Sequence, residues 1–393
     1  VTRRIVDTFA GPGGWDEGMR MLGLTDVIGI EWDTAACATA EAAGHRRIQA
    51  DVAALDPLGW PCWGMVSSPP CQAWSMAGKR KGELDRANCH LLADRMAGGD
   101  DSTDWCTWED PRSALVCQPV RWVRDLRPEW VALEEVPAVA GLWEHFARIF
   151  RSWGYSVWTG DLCAADYGVP QTRTRRILTA SRVRTVSPPP PTHSETAHGD
   201  DLLGGHTLPW VTMAEALGWG FDEPSATVSA GGGKSGGAEP FANADYRRRL
   251  TAVALDRRTN SKGGRGAMYP TPPVGVGRPA PTVTGAGNQV WVTERPATTV
   301  VGSFRPDVIA GPGHHDTSRQ DAPGSVRVTV QEAAILQSFR PDYTWSGSST
   351  KQYEQVGNAI PPRLAAHVVA SAIGIDPTAG IATYYDQALG GAA

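Results

Sequence analysis

Apolar runs of strand length that alternate with helix-length segments constrain this chain more than any other feature of it. "RRIVDTFAG" (3–11), "DVIGIEWD" (26–33), "GMVSSPP" (64–70) and "EWVALEEV" (129–136) are short, continuously apolar runs, each closed by glycine, acid or proline. Between them, "WDEGMRMLGL", "TAACATAEAAGH" and "ALVCQPVRWVRDLR" read as helices. Continuous apolar runs need cover on both faces, and strands joined through helices make a parallel α/β sheet with right-handed crossovers. In such a sheet the chemistry gathers where the strands end.

The strand ends carry informative residues. The first run leads into a turn with Gly11, Gly13 and Gly14, which lets a ligand approach the backbone at a helix N-terminus. The turn is not GxGxxG, so a dinucleotide is not favoured. The second run ends in Glu31 and Trp32, an acid able to hold ribose hydroxyls beside a ring able to stack on a base. A third short strand ends at Ala50-Asp51, where a carboxylate can accept an exocyclic amine. Together these ends describe an adenosine pocket. The next run stops at Pro69-Pro70, whose fixed φ and missing N–H present Cys71 in a stiff loop. Most unpaired cysteines are inert small hydrophobes, so Cys71 alone is either that or a nucleophile.

With 393 residues, two domains are expected. No apolar stretch approaches the roughly 20 residues of a membrane span, and no signal-peptide pattern opens the chain. Seven scattered cysteines do not form a disulfide framework, and a reducing cytoplasm fits them. The net charge of −5 argues against a polyanionic partner only weakly, because charge is segregated. Arg173, Arg175, Arg176, Arg182 and Arg184 fall in one stretch without an acid, and Arg247, Arg248 and Arg249 open a second basic stretch. The proline run "SPPPPTH" (187–193) reads as a linker into a Gly/Pro/Ser/Thr-rich middle, where "PSATV", "PAPTV" and "PATTV" recur as β-like units. "VRVTVQEAAILQSF" (326–339) returns to helical spacing, and the last eighteen residues, from Asp376, are Gly/Ala-rich and expected to be disordered.

"DTFAGPGG", "SSPPCQAWS", "LEEV", "YGVPQTRTRR", "TVQEAAILQSF" and "QVGNAIPP" occur in that order. In order and spacing the six stretches resemble the motifs of the DNA (cytosine-5)-methyltransferase family, covering residues 4–182 and 326–370. The resemblance implies an α/β, Rossmann-like S-adenosylmethionine-dependent methyltransferase domain with a smaller, β-rich target-recognition domain. The catalytic domain would take residues 1–185 and 326–375, the recognition domain 186–325, and 376–393 would be a tail. Carried over, Phe9, Gly11, Gly13, Gly14, Glu31, Trp32, Asp51, Val52, Pro69, Leu115 and Asn358 would line the S-adenosylmethionine site. Cys71 would be the nucleophile, Glu134 would hold N3 and the amine of the base, and Arg175, with Arg173 beside it, would face O2. Gln72, Ser75, Lys79 and Arg80, with Arg247, Arg248 and Arg249, would contact DNA. No metal is expected: Cys89, His90 and Cys106 lack CxxC spacing.

The implied reaction joins the cysteine to C6 of a cytosine flipped out of duplex DNA and methylates C5. An RNA cytosine-5 methyltransferase, or a catalytically silent DNA-binding member of the family, is the alternative. A monomer is expected, with a cognate restriction endonuclease encoded nearby as its companion. Two departures stand out. Residues 78–110 form a longer connection than is usual, expected to carry the loop that closes over DNA. Glu135 stands where the family usually has Asn, and is expected to be a structural acceptor turned to the surface; the alternative is a carboxylate that raises the pKa of Glu134 by repulsion.

Overall fold

The computed structural model describes residues 3–74, 81–196, 207–217, 297–298 and 329–390. Among these, a seven-stranded sheet forms the centre. Its strands are β1 (Ile5–Thr8), β2 (Val27–Glu31), β3 (Arg47–Gln49), β4 (Gly64–Ser67), β5 (Trp130–Glu135), β6 (Ser156–Cys163) and β8 (Thr174–Ser181). The order is β3-β2-β1-β4-β5-β8-β6. The two-residue β7 (Gln171–Thr172) pairs instead with Ala297–Thr298.

Six strands run parallel; β8 runs against both its neighbours. The all-parallel expectation fails at this one strand for a simple reason. Only about ten residues separate β6 from β8, and a parallel return needs a crossover of a dozen or more. The reversal has a functional consequence. The beginning of β8 lies beside the end of β5, with Glu134 opposite Ile177 and Glu135 opposite Arg176. Arginines that precede or open β8 therefore meet carboxylates that close β5.

Helices cover both faces. On one lie α3 (Gly82–Ala97), α4 (Gln118–Leu126) and α5 (Ala140–Ser152), contributing Leu92, Trp122, Trp143 and Phe146 to the core. On the other, α1 (Gly14–Met21) packs on α9 (Pro362–Ile373), burying Trp15, Met19, Leu364 and Val368. A Cβ at Gly18 would come within 2.6 Å of the Ala365 Cβ, so glycine sets this close helix approach. Helix α2 (Thr34–Ala42) starts on the Asp33 side chain, which accepts from the Ala36 N–H. The C-terminal part adds α7 (Val330–Leu336), opened by a Thr329/Glu332 capping box, and α8 (Ser349–Asn358); α6 (Met213–Leu217) lies before them in the chain.

Within the connection expected to carry the DNA-closing loop, residues 82–97 form α3, with Cys89, Leu92, Ala93 and Met96 in the core, and residues 75–80 lie outside the described residues. Two local expectations change. The helix expected over residues 114–127 is a 3-10 segment, Pro111–Cys117, followed by α4. Of the tail expected to be disordered, the described part is ordered: α10 (Thr378–Gly390) is helical and buries Ile381 and Tyr384 against Met21 and Ala366. Its alanines favour helix more than its glycines oppose it, and two apolar side chains a turn apart find a groove.

Candidate active site

A single cavity of about 390 Å³ runs along the edge where the parallel strands end. At its first end the chain leaves β1 through a left-handed turn, with Phe9 at φ 59° and Gly11 at 55°. That turn aims the Gly11 N–H at Glu31 Oε2, 2.8 Å away, while Oε1 accepts from the Trp32 and Asp33 N–H groups, each at 2.8 Å. Three backbone donors thus fix one carboxylate at the mouth of β2. Trp32 stands 76% exposed beside it, and Asp51 Oδ1 accepts from the Ala53 N–H at 2.9 Å.

Phe9, Gly11, Gly14, Glu31, Trp32, Asp51, Val52, Pro69, Leu115 and Asn358 all line the cavity, as do Cys71, Gln72, Glu134, Arg173 and Arg175. Gly13 does not. Its φ is 114°, and a Cβ there would meet the Tyr343 hydroxyl at 2.6 Å and the His45 ring at 2.8 Å, so it serves the turn from behind. Gly14 is required from the C-terminal side, since a Cβ would lie 2.3 Å from the Ile360 carbonyl. Ser75, Lys79, Arg80, Arg247, Arg248 and Arg249 lie outside the described residues.

At the second end, Pro70 leads into a 3-10 turn, Cys71–Ala73. Burial pushes the Cys71 thiol up to about 12; Glu135 and Glu134 add to the shift, and Arg175 and Arg173 oppose it. Glu134 is buried and its Oε1 lies 2.9 Å from Arg175 Nε. Arg173, 1% exposed, donates to the Gly357 carbonyl at 2.8 Å and to the Ala359 carbonyl at 3.0 Å. It therefore grips both neighbours of Asn358, across more than 180 residues of sequence. Burial and the adjacent Arg175 lower its pKa to about 9, which leaves it charged at neutral pH.

The surface-turned reading of Glu135 does not hold. Its side chain lines the cavity and is 1% exposed. Burial holds its carboxyl well above the usual range.

Residues that the motifs did not single out also reach the cavity. Trp15 Nε1 donates to Ser68 Oγ at 2.9 Å, tying the helix that follows the glycine turn to the loop that carries Cys71. Lys351 lies 3.1 Å from Asp33 Oδ2 and 3.1 Å from Glu354, closing the rim between β2 and α8. Arg112, paired with Asp110 at 2.7 Å, lines the side near Cys71. Of these, only Ser68 lies within one of the six motif stretches, "SSPPCQAWS".

A model of the family described as C-5 cytosine-specific DNA methylase matches residues 3–97, 104–212 and 277–374. The chain belongs to this family. It is a DNA (cytosine-5)-methyltransferase, and the family is S-adenosylmethionine-dependent. It is 25% identical over 395 residues to the Type II methyltransferase M.DdeI of Desulfomicrobium norvegicum, covering 92% of this chain and 86% of that one. It is 26% identical over 387 residues to the Type II methyltransferase M1.HphI of Haemophilus parahaemolyticus, covering 92% and 84%. Among solved structures, the Dnmt2 methyltransferase of S. pombe aligns with a TM-score of 0.53 at 12% identity, over 94% of this chain and 98% of that one, a likeness of fold. No helix among the described residues is long and apolar enough to cross a membrane.

Proposed function

We propose that this methyltransferase takes a cytosine flipped out of duplex DNA at the Cys71 end of the cavity, with S-adenosylmethionine held at the Glu31 end. The observation that carries this reading is the continuity of the cavity: one space joins Glu31 to Cys71, Glu134 and Arg175. The residues suit the cofactor. Glu31, pinned by three N–H groups, offers its remaining acceptor capacity to ribose hydroxyls; Trp32 offers a face to the adenine, and Asp51 and Val52 its edge. When bound, S-adenosylmethionine supplies a methyl group on a sulfonium, an electrophile too weak for unaided cytosine.

The protein makes the cytosine a nucleophile. The Cys71 thiol gives up its proton to water, and its sulfur forms a bond to C6. The C5–C6 π pair moves toward C5 as N3 takes a proton from water by way of Glu134, which is held on Arg175 and accepts from the exocyclic amine; that proton leaves N3 again when the thiolate is expelled. Arg175 compensates negative charge growing at O2. C5 then takes the methyl group, loses its proton to a base, and the returning electron pair expels the Cys71 thiolate. Arg173 acts on this chemistry through position, by fixing the Asn358 segment.

Duplex DNA is the partner in this reading. The Arg247–Arg249 run would contact it from the recognition region, and the enzyme would work as a monomer in the cytoplasm. The Type II names of M.DdeI and M1.HphI support a pairing with a restriction endonuclease. Bisulfite sequencing of DNA from a host expressing the chain tests the reading. Protected cytosines within one short sequence are expected; unprotected DNA with methylated host RNA would favour the RNA alternative.

A further inference from the structure

Two adjacent carboxylates close β5, and the site answers only one of them. Glu134 has the Arg175 guanidinium at 2.9 Å, while Arg173 spends its donors on the Gly357 and Ala359 carbonyls. Glu135 is as deeply buried as Glu134, and one of its oxygens accepts from the Val136 N–H. The other oxygen, Oε1, is buried without a hydrogen-bond partner in the cavity that holds Cys71. A buried carboxylate with no cation of its own sheds its charge by keeping its proton. Oε1 then becomes an O–H donor whose acceptor is still to come.

We propose that Glu135 takes part in methyl transfer as a neutral carboxylic acid that donates a hydrogen bond to the Cys71 thiolate. The inference rests on Cys71 being the nucleophile. The charged groups facing this spot are Glu134 from the same strand, Arg175 and Arg173 from the start of β8, and Arg112 from the 3-10 segment before α4. After burial, a charge on Glu135 is what pushes the Cys71 thiol up most. An ionised Glu135 therefore opposes thiolate formation, whereas the neutral acid stabilises it. Glu135 keeps its proton throughout; the thiol proton leaves to water as the sulfur attacks. The carboxamide that the family resemblance leads one to expect at this position offers the same donor with no proton to lose.

The sign of the pH effect follows. Below the raised pKa of Glu135 the donor is present; above it, a negative charge replaces the donor and the rate falls. Glu135→Gln keeps a donor that cannot ionise, and Glu135→Leu keeps volume with no donor. Single-turnover methyl transfer is measured from about pH 6 to about pH 10 for all three proteins, together with Cys71 alkylation by iodoacetamide, read by peptide mapping without DNA. The wild type is expected to lose rate on the alkaline side, and Glu135→Gln to lack that fall. Cys71 alkylation near pH 9 should be on the order of tenfold faster in Glu135→Gln than in the wild type, as one pKa unit implies. Glu135→Leu should transfer methyl on the order of tenfold more slowly than Glu135→Gln. Superimposable wild-type and Gln profiles, or equal alkylation rates, would overturn the proposal. So would a Gln variant as slow as Leu at neutral pH, which would make the ionised carboxylate the working form. Absent transfer by the wild type would count against the DNA reading instead, while alkylation would still report on Glu135.

Discussion

At one end of the cavity, Glu31 accepts three backbone N–H groups at 2.8 Å each. At the other, the Cys71 thiol is forced up to about 12 by burial, and a Glu135 oxygen is sealed in without a partner. Both ends are built from the same sheet edge, yet the first is complete before any ligand arrives and the second is not. The difference follows from what each must do. A binding group gains by being held still, so that little order is lost on association. A reacting group gains from interactions made only as the reaction proceeds, so its partners are left for the reacting atoms to supply.

Replacing one group at each end tests how separable the two are. Cys71→Ser should lower methyl transfer by at least about a thousandfold, since a serine hydroxyl is a far weaker nucleophile at neutral pH. Its S-adenosylmethionine affinity, measured by calorimetry, should stay within about twofold. Glu31→Ala should do the reverse. With three N–H groups left without their acceptor, cofactor affinity should fall about thirtyfold to a hundredfold, or roughly 2–3 kcal/mol. The single-turnover rate at saturating cofactor should change by less than about fivefold. A rate that fell as far as the affinity would break the comparison.

Arg173 lies between the two ends and sharpens their boundary. Arg173→Lys cannot hold both the Gly357 and Ala359 carbonyls with one planar fork, and should cost about 1–3 kcal/mol in urea unfolding. Its rate per folded molecule should fall less than that of Arg175→Lys, whose guanidinium holds Glu134. The smallest effect belongs to the rim. Lys351 is 46% exposed where it meets Asp33, and Lys351→Ala should weaken cofactor binding by less than about threefold.

Much of this arrangement was legible in the sequence because β1, β2, β4 and β5 are buried on both faces, and glycine, acid and proline mark where they stop. Glu31 and Cys71 could be placed from those marks alone. Glu135 could not. Alternation along a strand sends adjacent side chains to opposite faces, but β5 is buried on both, so the face opposite that of Glu134 is not the surface. Arg173 was read with Arg175 as a pair facing the base, because nothing local reveals two carbonyls that return from residues 357 and 359. Gly13 looked like part of a ligand cradle, and its true neighbours, His45 and Tyr343, are likewise remote in sequence. Helix α10 was hidden by small residues whose partner groove forms only in the folded chain.

The covalent step can be caught directly. Duplex DNA with 5-fluorocytosine at the target position has no C5 proton to lose after methylation, so the sulfur–C6 bond should persist. Incubated with S-adenosylmethionine and digested, the wild-type protein should yield one modified peptide, with the nucleotide attached at Cys71. An adduct on another of the seven cysteines, an adduct that persists in Cys71→Ser, or no adduct at a site that the enzyme methylates would contradict the account.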